Sequence, residues 1–96
     1  DIIKIVNLGE VDSIVRELVL LKVRANKETL KDIRNIVDVF RGKIVDISPE
    51  NVVIEITGSQ GKIDAICAMM AQFEIIEIAR TGTIAISRGP IPVKEM

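Results

Sequence analysis

The segment Gly58-Ser59-Gln60-Gly61-Lys62 is where this chain comes nearest to chemistry. Glycines, a hydroxyl and a lysine are the residue types that cradle a phosphate. A Walker A loop, however, needs a glycine five residues before the second one and a Ser or Thr after the lysine. Those positions hold Ile56 and Ile63, so nucleotide hydrolysis is not expected. What remains is a weak anion-site candidate at a helix N-terminus, formed by Ser59, Gly61 and Lys62. The plainer reading is preferred: strand-to-helix turns routinely use Gly and Ser. Cys67 is the one thiol, and it stands between Ile66 and Met70 in an apolar stripe, as a small core residue does. Lys43, Lys62, Arg80 and Arg88 are the right charge for an acidic ligand, but scattered surface charge explains them as well. The carboxylates show no spacing that fixes a metal or an acid/base pair. With no His, Trp or Tyr, the chain lacks the commonest general base and the commonest stacking platforms. No catalytic, cofactor-binding or metal-ligating residue is assigned.

Those residues have to be positioned by alternating strands and helices. Residues 17–25 (ELVLLKVRA) read as a strand, with Val19, Leu21 and Val23 on one face and Leu18, Leu20, Lys22 and Arg24 on the other. Asn26 suits a helix N-cap. Leu30, Ile33, Ile36, Val37 and Phe40 then recur at helical spacing, and Gly42 is expected to end that helix in the left-handed conformation. Residues 43–48 and 51–57 are expected to be strands joined by a reversal at Pro49-Glu50. Ser59 is the expected cap of a second helix, whose stripe is Ile63, Ile66, Cys67 and Met70, closed by Phe73. Residues 74–87 are extended, either as one strand bent at Thr81-Gly82 or as two pieces. If the register runs through, Ile76, Ile78, Ile84 and Ile86 share a face.

Two strand–helix units around a hairpin predict an α+β fold: the ferredoxin-like βαββαβ two-layer sandwich, ACT-like, with an antiparallel sheet and both helices on one face. The uncovered sheet face then carries Leu18, Leu20, Val53 and Ile44 beside Lys22, Arg24, Glu55 and Asp46. It is half apolar, and such a face is more stable against another protein surface than in water. Leu18, Leu20, Lys22, Ile44, Val53 and Glu55 are therefore the candidate subunit-contact face.

Composition narrows the function classes. Ninety-six residues suit one small domain. Apolar residues make up 48% but only two are aromatic, so Ile, Val and Leu must fill the core. Burying each contributes roughly 1.5–3 kcal/mol, most of it offset by conformational entropy, so association that covers more apolar surface would stabilise the fold. A net charge of −1 argues against nucleic acid or an anionic membrane as partner. A lone Cys fits a reducing, cytoplasmic compartment. Residues 1–8 (DIIKIVNL) read as a short strand: either the last strand of a domain whose body is missing or an edge strand of this one. Residues 9–16 read as linker and 90–96 as a loose tail.

Three blocks resemble one family as a set. Residues 40–47 (FRGKIVDI) resemble an FRG-x-I-x-D block; residues 61–65 (GKIDA) resemble GK-x-DA; residues 76–82 (IEIARTG), followed by Ser87-Arg88-Gly89, resemble an EVARTG…SRG close. In this order they resemble the C-terminal domain of the small regulatory subunit of acetolactate synthase (acetohydroxyacid synthase), over residues 17–89. Residues 1–16 would then be the remnant last strand of that family's N-terminal ACT domain plus a linker. The resemblance implies a large catalytic subunit as partner, carrying thiamine diphosphate, magnesium and FAD, that condenses pyruvate in branched-chain amino-acid synthesis. It implies a non-catalytic chain that assembles as a homodimer or higher oligomer and contributes to activation and feedback control. It also implies a valine-type effector held on the N-terminal domain, so no effector-binding residue is carried onto this sequence. The alternative reading is a free-standing ligand-sensing or oligomerisation module of a transcriptional regulator. Metal sensing through His ligands is closed to it, because the chain has none.

Overall fold

The computed structural model describes residues 13–89, and the expectations for 1–12 and 90–96 lie outside it. Eight elements follow in order: β1 (Ser13–Arg24), α1 (Lys27–Val39), β2 (Lys43–Ser48), β3 (Asn51–Gly58), α2 (Gln60–Met70), a 3₁₀ turn (Ala71–Phe73), β4 (Ile75–Arg80) and β5 (Ile84–Ser87). The sheet order is β2-β3-β1-β4, every pairing is antiparallel, and β5 also pairs with β1. This is the expected ferredoxin-like arrangement.

The period-2 pattern places Val19, Leu21 and Val23 of β1 beside Val52, Ile54 and Ile56 of β3 on the helix-covered face, all of them buried. Ile33 and Val37 of α1 and Ile63, Ile66 and Met70 of α2 close over them. Helix α1 begins where Asn26 Oδ1 accepts from the backbone N–H of Glu28 (2.8 Å) and Thr29 (2.9 Å), while Thr29 Oγ1 accepts from Asn26 N–H at 2.9 Å. Such a cap contributes about 1 kcal/mol.

The end of α1 differs from expectation. Arg41, not Gly42, adopts the left-handed conformation, with φ 60°. The Arg41 N–H donates to Asp38 O (3.0 Å) and the Gly42 N–H to Val37 O (2.8 Å), the pair of bonds that define a Schellman close. Gly42 is needed for space instead. A Cβ there would lie 2.9 Å from Ile56 Cδ1 and 3.1 Å from the Glu55 carbonyl oxygen.

Residues 13–16, expected as linker, are strand: Ser13, Ile14, Val15 and Arg16 pair with Ser87, Ile86, Ala85 and Ile84. The 74–87 run is two strands, and its register does not run through. Glu77 lies opposite Lys22 and Ile75 opposite Val23, so Ile76 is an extra, bulged residue and leaves the face that Ile75 and Ile78 occupy. A second irregularity sits in β2. Ile44 pairs with Ile54 but Asp46 pairs with Val53, which makes Val45 the extra residue. The one-residue insertion inverts the side-chain alternation, so Ile44 turns toward the helices and packs on the core rather than joining the uncovered face.

Candidate subunit-contact face

The uncovered side of the sheet is built from residues of β1, β3 and β4 that alternate with the core. Leu20 lies between Glu55 and Ala79, and Lys22 between Val53 and Glu77. Leu20, Lys22, Val53, Glu77 and Ala79 line a shallow, mostly apolar hollow of about 180 Å³. Leu20 is 40% exposed, while Leu18, Lys22, Val53 and Glu55 are half-buried. Lys22 Nζ lies 3.2 Å from Glu77 Oε1, and Arg24 Nε donates to Glu74 Oε1 at 2.8 Å. These two ion pairs neutralise four of the charges across strands, which lowers the cost of covering the apolar positions between them. Five of the six expected contact residues lie here; Ile44 is the exception.

Glu77 and Ala79 were missed as part of this face. Their signal was the alternation around Ile78, obscured by carrying its stripe on to Ile84 and Ile86, which lie on the other side. A second omission is Glu17. It shares the inward parity of Val19 and Leu21, and its side chain is only 5% exposed. Arg80 grips its carboxylate with two bonds, Nε to Oε2 at 3.0 Å and Nη2 to Oε1 at 2.7 Å, and the Gly82 N–H donates to Oε2 at 3.2 Å. The Arg80 hydrogen bonds hold the Glu17 carboxyl below its ordinary value, against the opposing push of burial. Arg80 also lies 3.8 Å from Asp64 of α2.

The other expected chemistry does not assemble. Arg80 is committed to Glu17, and Lys43 lies on β2, three strand spacings or roughly 14 Å across the sheet. Ser59 Oγ accepts from the Lys62 N–H at 3.3 Å as the α2 cap, the Lys62 stem covers Gly58, and Gly61 faces open space. These are the duties of a strand-to-helix turn. Burial pushes the Cys67 thiol up, away from a reactive thiolate. Among the described residues no three His, Cys, Asp or Glu groups could hold a metal ion, and no helix is long and apolar enough to cross a membrane.

The family model for the small subunit of acetolactate synthase matches residues 16–89. The chain belongs to this family. It is 43% identical over 90 residues to the acetolactate synthase small subunit of Haemophilus influenzae, covering 93% of this chain and 55% of that protein. It is 39% identical over 90 residues to the small subunit of Mycobacterium bovis, covering 94% of this chain and 54% of that one. The crystal structure of the Thermotoga maritima acetolactate synthase small subunit superposes with a TM-score of 0.77 at 41% identity, covering 83% of this chain and 49% of that one. The chain thus spans about half the length of these small-subunit relatives. All three are small subunits, and none lends support to a transcriptional regulator.

Proposed function

We propose that this chain acts as a non-catalytic, regulatory part of acetolactate synthase, contributing to subunit assembly and to activation and feedback control of a separate catalytic subunit. The supporting observation is the family match across residues 16–89, taken with a fold whose uncovered face is apolar between paired charges. The catalytic partner would carry thiamine diphosphate, magnesium and FAD and would make the acetolactate of branched-chain amino-acid synthesis. A cytoplasmic location belongs to this reading. The face around Leu20 and Val53 is the docking surface, on the catalytic subunit or on a second copy of this chain. Control then operates as a coupling between contact and effector sites that is reciprocal in binding free energy. A valine-type effector would act through the part of the family's length that this chain does not span, so this chain alone is predicted to bind without conferring valine sensitivity.

The test adds this chain to purified catalytic subunit and measures pyruvate condensation with and without valine. Complex formation with a changed rate and no valine response is the expected result. No complex and no change in rate would overturn the proposal.

A further inference from the structure

The register between β1 and the β4–β5 run contains one more irregularity, and it has a dedicated fastening. Val19 lies opposite Arg80, and Arg16 lies opposite Ile84. Two residues of β1, Glu17 and Leu18, therefore face three, Thr81, Gly82 and Thr83. The extra residue is accommodated by Gly82 at φ 83°, a conformation that only glycine adopts without strain. The Leu18 N–H donates to Thr81 Oγ1 at 3.1 Å, so a side-chain hydroxyl takes the bond, while the Thr81 N–H donates to Leu18 O at 3.0 Å. Thr81 Oγ1 in turn donates to Gly82 O at 2.8 Å. Beneath this loop the Glu17 carboxylate binds Arg80 on one side of the bulge and the Gly82 N–H within it.

We infer that Glu17, with Arg80 and Gly82, is a register clamp: it holds the extra residue in place and so decides which side of the β1–β5 ribbon bears Ile84 and Ile86. Directly opposed residues share a side of an antiparallel ladder. With the bulge, Ile84 and Ile86 lie with Arg16 and Ile14, and β1 itself carries that side on into Leu18 and Leu20. Without it the run would slip by one residue. Ile84 would then oppose Val15, and both isoleucines would move to the opposite side. These side chains are 69% and 67% exposed, so core burial does not hold them to one register; the clamp does. The inference concerns the ribbon of this chain and stands whether or not the subunit reading above is right.

Cross-linking reads the register directly. On a Cys67→Ser background, Ile14→Cys with Ile86→Cys reports the bulged register, and Ile14→Cys with Ala85→Cys reports the slipped one. With Glu17 present, oxidation is expected to join the first pair in at least tenfold preference to the second. Glu17→Gln should erase that preference and raise amide exchange across Ile84–Ser87 at least tenfold, while β3 amides stay protected. Deleting Thr83 removes the extra residue, so it should restore the first cross-link in the Glu17→Gln chain. If Glu17→Gln lowers folding too far, Gly82→Val tests the same bulge with Glu17 and Arg80 intact. A cross-link preference unchanged by both substitutions, or one that the Thr83 deletion fails to restore, would overturn the clamp.

Discussion

Arg41 occupies a backbone conformation that costs an L-residue with a Cβ about 1 kcal/mol, and the residue after it is a glycine needed for a different reason. Reading Gly42 as the left-handed residue followed the usual preference, whereas the hydrogen bonds put the turn one position earlier. Arg41→Gly is therefore expected to raise stability by about 0.5–1 kcal/mol, measured by denaturant unfolding; a loss of stability would show that the arginine side chain makes a compensating contact. The Glu17 carboxyl supplies a second prediction at this scale. It accepts from Arg80 of β4 and from the Gly82 N–H, and Arg80 in turn lies 3.8 Å from Asp64 of α2. Its folded value lies below the ordinary 4.5, chiefly because Arg80 donates to it. Its stabilising contribution is thus complete above pH 4.5 and disappears as pH falls through the lower, folded value. Melting temperatures between about pH 7 and pH 3 should fall more steeply for the native chain than for Glu17→Gln. Parallel curves would contradict the pairing.

At the scale of elements, most of the strands and both helices were legible, since buried stripes of Val, Ile and Leu alternate by two in β1 and β3 and by three and four in α1. Both helix N-caps, Asn26 and Ser59, were legible for the same local reason. What escaped were the bulges at Val45, at Ile76 and across Thr81–Thr83. A bulge is set by which partner strand arrives alongside, and except for Gly82 it leaves no local signature. The error had a definite consequence. Counting by two from Asp46 sends Ile44 to the uncovered face, whereas Val45 interrupts the count and turns Ile44 inward. The candidate face lost one member and gained Glu77 and Ala79, which a correct register in β4 would have supplied. Ile44→Asp should therefore cost about 2–3 kcal/mol through a charge placed against the core, while Val45→Asp should cost under about 1 kcal/mol. Urea midpoints of the two variants compare them directly, and equal losses would restore the uninterrupted register.

For the whole molecule, helices cover one side of the sheet and leave the other with an apolar hollow between internally paired charges. That hollow, lined by Leu20, Lys22, Val53, Glu77 and Ala79, is the docking surface proposed above. The family was legible because three spaced blocks survive together, although the structure gives two of them structural duties: Gly42 fits against Ile56, and the Arg80-Thr81-Gly82 tripeptide fastens onto Glu17. Which surface meets a partner was less legible, because exposure depends on register. Sedimentation of this chain mixed with purified acetolactate synthase catalytic subunit, native against Leu20→Asp with Val53→Asp, tests the docking face most directly. A docking face there predicts a co-sedimenting complex for the native chain and at least a tenfold weaker one for the double variant, with the variant's melting temperature nearly unchanged. A well-folded double variant that co-sediments as tightly as the native chain, and self-associates no less, would contradict it.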